Sequence, residues 1–270
     1  MGGFAKEYGE LFGLTEMVEN ELSKKENFGE LIPVEGIEKE LLEKKKNIDD
    51  MEAISITKVL KSKCGRLAYT VLAENGVKGK MRITPGTIYA HPVLGAPPFS
   101  FDSNEMKDFS IFFVTDVNPL SQDEDYIKRF ITNNFGSFYE KYNGFFKETA
   151  IKRDSEAWFK KIASPVFLNY KWMYENSQEI NSIKKSIRNA VLEYLTTWIK
   201  MVKDAEPIED KDYLQKLISN GDKNMDKFRK NDKGFKVLTH YYGIDFAEKY
   251  MRMLFPAISH IKKISGELKL

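Results

Sequence analysis

Tyr89-Ala-His-Pro-Val-Leu-Gly-Ala-Pro-Pro-Phe-Ser-Phe-Asp102 is the stretch whose reading decides the fold. Three prolines and one glycine fall within these fourteen residues, between a β-rich block and the apolar run Phe109–Val114. Proline fixes φ and has no N–H to give a ladder, so the stretch cannot be a central strand throughout. It reads as a strand that leaves its sheet, bends at Gly95 and Pro97–Pro98, and returns. The bend sets Asp102 at the mouth of the next strand, beside Phe99 and Phe101. A carboxyl group among aromatic rings is where a raised pKa is expected, which makes Asp102 a candidate for proton chemistry.

Upstream, the β-branched run Ala53–Leu60 and the segment Leu67–Ala73 read as strands, with turns at Lys63-Cys64-Gly65 and Glu74-Asn75-Gly76. Met81–Tyr89 is a third strand, broken at Pro85-Gly86, and Phe109–Asp116 a fourth, apolar on both faces. Hairpin-length connections make the sheet antiparallel. Residues 4–25 carry apolar positions at helical spacing, and Ile37–Asn47 reads as a short charged helix with Lys44–Lys46 on a solvated face. Residues 1–50 thus form an N-terminal helical segment.

Downstream of Asn118-Pro119 helices dominate. Asp123–Tyr142 is one, Pro165–Trp172 is a further strand, and Ile180–Val202 is the longest apolar stripe, capped by Asn176 and followed by Pro207. A shorter helix covers Asp212–Ile218, Gly221 breaks it, and two helical pieces end the chain. With no repeat and no linker, residues 1–270 form a single α+β domain.

Composition excludes several classes. The 270 residues carry 42 basic and 40 acidic side chains, a net charge of +2 that does not call for nucleic acid. A lone cysteine, Cys64, allows no internal disulfide, and His91, His240 and His260 are too scattered for a metal site. No run of about 18 apolar residues suggests a membrane span. The N-terminus lacks the pattern of a secretory signal, so a cytoplasmic protein is expected, or a plastid stromal one in a photosynthetic eukaryote. His91 reads as solvent-facing or a loop hydrogen-bonder, and Trp158, Trp172 and Trp198 read as core anchors.

A second acid lies far along the chain. Asn231-Asp232-Lys233 reads as a polar turn before the helix containing Val237 and Leu238, and Gly243 ends that helix. Ala247-Glu248-Lys249-Tyr250-Met251 and Leu254-Phe255 follow. With Gly95-X-Pro97-X-Phe99-X-X-Asp102, these residues resemble the ferredoxin-dependent bilin reductases. The likeness spans roughly Leu67 to Phe255 and is strong in these two islands.

The resemblance implies a three-layer α/β/α sandwich with a central antiparallel sheet. It also implies an open-chain tetrapyrrole, biliverdin IXα, lying between the sheet and the C-terminal helices. Such enzymes carry no bound cofactor; reduced ferredoxin supplies electrons singly and the protein supplies protons. By the same resemblance, Asp102 is the central proton donor and Asp232 protonates from the other side. Lys233 and Lys171 face the propionates, and Asn231 and Phe99 contact the substrate. Ferredoxin is acidic, so a basic face at the pocket mouth is expected, and the enzyme is expected to be a monomer. Phycocyanobilin-forming members carry a histidine where this chain has Pro85, with Tyr69 opposite another family histidine. A two-aspartate site without it looks more like the members forming phytochromobilin or phycoerythrobilin, whereas Lys230-Asn231-Asp232-Lys233 and Ala247–Met251 resemble the phycocyanobilin-forming branch, so the product stays open. Two other readings are reduction of a chlorophyll catabolite and tetrapyrrole binding without chemistry.

Overall fold

The computed structural model describes residues 13–48 and 51–266. The expected helical residues 4–12 lie outside them. Helix α1 (Leu14–Leu22) is followed by strand β1 (Leu31–Pro33), a single turn α2 (Lys39–Leu42), and β2 (Glu43–Ile48). The sheet continues with β3 (Met51–Ser62), β4 (Leu67–Val77), β5 (Met81–Ala90), β6 (Phe99–Met106) and β7 (Ser110–Val117). Next come α3 (Glu124–Ile127), α4 (Asn133–Thr149), β8 (Ile151–Lys152), α5 (Ala157–Lys160) and β9 (Leu168–Met173). Four C-terminal helices follow the long α6 (Ser177–Asp204): α7 (Lys211–Asn231), α8 (Gly234–Tyr242), α9 (Ile244–Leu254) and α10 (Ile258–Ser265).

The nine strands form one sheet in the order β1-β3-β4-β5-β6-β7-β9-β8, with β2 also pairing β3, and every pair is antiparallel. Both faces are covered, as the resemblance implies. Because side chains alternate along a strand, β7 sends Phe113 to one side, where it meets Phe146 of α4. Tyr170 and Trp172 of β9 pack on the same Phe146, and α6 lies alongside with Trp198 bonded to Pro97 O at 2.8 Å. On the other side, Tyr69, Thr87 and Tyr89 reach carbonyl oxygens of α9, Met253 and Leu254. The sheet is therefore the middle layer between α1, α4 and α6 on one face and α7–α10 on the other.

Six expectations are corrected. Glu74-Asn75-Gly76 is not a turn but lies within β4, with Asn75 opposite Ser55 on β3 and Ile83 on β5. Residues 43–47 of the charged helix expected over Ile37–Asn47 instead belong to β2, paired Glu43 opposite Ile56 through Ile48 opposite Met51. Its lysines protect a sheet edge, which favours charge where a helix would also tolerate it. The N-terminal segment thus holds two strands besides α1 and α2. β5 is not broken at Pro85. Its pairing with β4 runs Leu72 opposite Gly86 and resumes at Asn75 opposite Ile83, passing over the proline that has no N–H to donate.

The bend after β5 is a short 3-10 turn, Pro92–Leu94, closed by Gly95 at φ 61°. The returning strand β6 starts at Phe99, so Asp102 sits in mid-strand, not at a strand mouth. Finally, α7 runs straight through Gly221. A Cβ there would lie 2.6 Å from Ile258 Cγ1 and 2.9 Å from Leu120 Cδ2, so the missing side chain is what lets α10 approach.

Candidate active site

Between the β5–β6–β7–β9 face and helices α7–α9 opens a cleft of about 500 Å³. Its walls are mainly apolar and aromatic, with Ile83, Phe112, Trp158, Phe228, Val237 and Phe255 among them. A volume in this range suits a ligand of several rings. Alternation along β6 turns Ser100, Asp102, Asn104 and Met106 into it, while Phe99 and Ser103 face the other way.

Asp102 stands directly opposite Pro85 on β5 and Val114 on β7, both cleft residues. Its Oδ2 accepts a 3.0 Å hydrogen bond from Asn104 Nδ2, and its Oδ1 is shielded from solvent with no partner among the described residues. Burial pushes the carboxyl up from its ordinary 3.8 to about 6. The Asn104 bond opposes the shift, and the charge of Asp232 adds to it. The acid is therefore poised near neutrality, where proton transfer in either direction is accessible.

Asp232 arrives from the turn between α7 and α8. Its backbone is extended, and Oδ1 accepts the Gly234 N–H at 2.6 Å in an Asx turn. A Cβ on Gly234 would lie 2.8 Å from that same oxygen, so glycine is needed for the turn to close. Burial raises the Asp232 pKa, the Gly234 N–H pulls it down, and the charge of Glu156 raises it again. Two aspartates separated by 130 positions in sequence thus share one cleft, one on the sheet and one on the helical wall.

A sequence profile of ferredoxin-dependent bilin reductases matches residues 29–256. The chain belongs to that family. A 15,16-dihydrobiliverdin:ferredoxin oxidoreductase of Nostoc punctiforme is 22% identical over 188 residues, which cover 69% of this chain and 70% of that relative. Phytochromobilin synthase from tomato, crystallised in complex with biliverdin, aligns with a TM-score of 0.71 over 91% of this chain and 82% of that one. At 13% identity that likeness speaks for the shared fold. A bilin reductase of this family is an oxidoreductase that takes electrons from ferredoxin, and the chain is such an enzyme.

The other predicted residues of this reductase fall in different places. Lys233 lines the cleft, but its side chain is 77% exposed and pairs with Glu156 at 2.8 Å across the mouth. Asn231 also lines it, with Nδ2 on Lys227 O at 2.8 Å. Lys171 lies just beyond the cleft, its Nζ 5.0 Å from the Phe112 ring centre. Phe99 does not reach the cleft: it is fully buried on the opposite face, because it is three residues from Asp102 and an odd step reverses the side chain.

Of the two readings of His91, the loop hydrogen-bonder holds and the solvent-facing one does not, because the side chain is buried. Its Nδ1 accepts from Val93 N–H and its Nε2 meets Gly266 O at 3.0 Å. Trp172 and Trp198 are core anchors, but Trp158 lines the cleft and packs edge-on against Phe228.

Several cleft residues were not singled out as site residues in the sequence, although Tyr250 lies within the Ala247–Met251 motif. Arg153 stacks its guanidinium 4.6 Å from the Phe112 centre. Tyr250 and Asn75 join their side chains at 3.0 Å. Asn104 was legible in principle: once β6 is placed, a period of two from Asp102 selects it. Arg153 directly follows β8 and Asn169 lies on β9, so both needed the sheet order. Among the described residues no helix is long and apolar enough to cross a membrane.

Proposed function

We propose that this enzyme reduces biliverdin IXα, or its 15,16-dihydro derivative, to a phytobilin, with Asp102 and Asp232 as the proton donors. The observation carrying the proposal is that two half-buried carboxyls, each with raised proton affinity, face one apolar cleft. One double bond of the bilin takes up two electrons, one from each of two reduced ferredoxins, and two protons. Each added electron makes the pigment more basic, and an acid near pH 6 holds a proton it can release to such a base. Aromatic walls supply flat apolar contact to the rings. Arg153 and Lys171, both stacked on Phe112 at the open end, are suited to the propionates, where charge-assisted bonds are strongest.

Pro85 opposite Asp102 favours the two-aspartate branch of the reading. Proline has no side-chain proton to exchange, so a third donor does not stand at that position. The test is anaerobic: enzyme, ferredoxin and an electron source with biliverdin IXα or 15,16-dihydrobiliverdin, followed by absorbance and product chromatography. Consumption of either pigment to a phytobilin supports the reading. A stable pigment complex that reduced ferredoxin leaves unchanged overturns it.

A further inference from the structure

The cleft contains more hydrogen-bond acceptors than the protein uses. Besides Asp102 Oδ1, the side-chain oxygens of Asn104 and Asn169 are buried and have no partner among the described residues. All three residues line the cleft. Each amide nitrogen spends one N–H within the protein: Asn104 Nδ2 donates to Asp102 Oδ2 at 3.0 Å, and Asn169 Nδ2 donates to Ser155 Oγ at 3.2 Å. When Asp102 is ionised it can only accept, and in that state the bond sets the Asn104 nitrogen toward Asp102 and leaves its oxygen free.

The sheet register spaces these acceptors. Asn104 is two residues along β6 from Asp102, about 7 Å on the same face. Asn169 pairs with Val114, which pairs with Asp102, so it lies two strands away, about 10 Å across the sheet. A buried acceptor left unpaired is costly and uncommon, so three in one cleft call for a ligand that brings donors. The spacing suits a flat molecule bearing several N–H groups rather than one donor.

We infer that Asn104 and Asn169 read the ring N–H groups of the substrate, with Asn104 also acting as a positioning residue that holds Asp102 with its free oxygen toward the pigment. The inference rests on the bilin reading above and extends it to two residues that select and orient the substrate. Asn169, far from the Asp102 column, reads a different ring from the one Asp102 protonates. Its loss is felt in affinity, while loss of Asn104 is felt in the proton step.

The test uses Asn104→Leu and Asn169→Leu, near-isosteric side chains without the acceptor. Bilin affinity is measured by absorbance titration, single-turnover rate as a function of pH, and melting temperature without ligand. Asn169→Leu is expected to weaken bilin binding about tenfold with little change in the single-turnover rate. Asn104→Leu strips Asp102 of its donor, so the pH profile of the rate is expected to move to higher pH. Both variants are expected to melt within a few degrees of wild type. Wild-type affinity and an unshifted profile in both variants would overturn the inference, as would affinity losses that merely follow a large fall in melting temperature. If wild type itself binds no bilin, the underlying functional reading fails with it. If wild type binds and turns over while the variants behave like it, only the acceptor assignment fails.

Discussion

Replacing Asp102 with Asn should make the ligand-free protein more stable at alkaline pH while disabling it as a reductase. A carboxyl whose folded pKa is raised favours folding in its neutral form. That contribution is fully present below the unfolded pKa of about 4 and is lost as pH rises through the folded value of about 6. Above that window the folded state carries an ionised Asp102 in an apolar cleft. A shift of about two pH units corresponds to roughly 3 kcal/mol. This is an upper bound, because part of the side chain reaches the open cleft and water screens it there.

Asn removes the charge but puts an N–H where Oδ1 lacks a partner, which returns about 1 kcal/mol. A net gain of about 2 kcal/mol corresponds to a rise of roughly 4–8 °C in Tm for a chain of this size. Thermal melts of both proteins without ligand, at about pH 8 and about pH 4, read this directly: the gain should appear at the first and vanish at the second. An equal change at both pH values, or a loss at the alkaline one, would refute the electrostatic account of the site. In the anaerobic assay the same variant should still bind pigment and fail to turn it over.

Three further outcomes are expected. Asp232→Asn should lower turnover by about a hundredfold or more and leave a partly reduced pigment, detectable by chromatography; full conversion at the wild-type rate would remove its role. Arg153→Ala and Lys171→Ala should each weaken binding of the free diacid about tenfold and leave binding of the dimethyl ester unchanged, since only the diacid can form the charge-assisted bonds. Asp116, also pushed up to about 6 by burial, is held differently: it accepts Val117 N–H at 2.8 Å, Ser164 N–H at 3.2 Å and the Ser164 hydroxyl. Asp116→Asn offers one acceptor oxygen in place of two, and so should destabilise the protein by about 1–3 kcal/mol in urea denaturation, opposite in sign to Asp102→Asn.

Much of this site is written along the chain. The proline-bent exit of β5 and the return of β6 are local events, set by fixed φ at Pro97–Pro98 and a left-handed turn at Gly95. The Asx turn at Asp232 is likewise local, because its partner is two residues away. Phe99 and Trp158 were misread because their environment is not. Phe99 belongs to a strand whose start had to be known before its parity with Asp102 could be counted, and Trp158 meets Phe228 across 70 positions. β2 escaped because a run of lysines suits both an exposed helix and an exposed sheet edge; only pairing with β3 separates them.

By itself, then, the sequence determined the central strands from Met51 to Val117, the antiparallel sheet, the long helix after Asn176, the two aspartates and the motifs that tie the chain to its family. These depend on periodicity and on residues a few positions apart. Tertiary structure alone decided that Asp102 and Asp232 share a cleft, that Pro85 faces Asp102, and that Asn104 and Asn169 add unpaired acceptors beside them. Those facts depend on strand register and on burial, and burial moves a carboxyl pKa only when distant segments close over it.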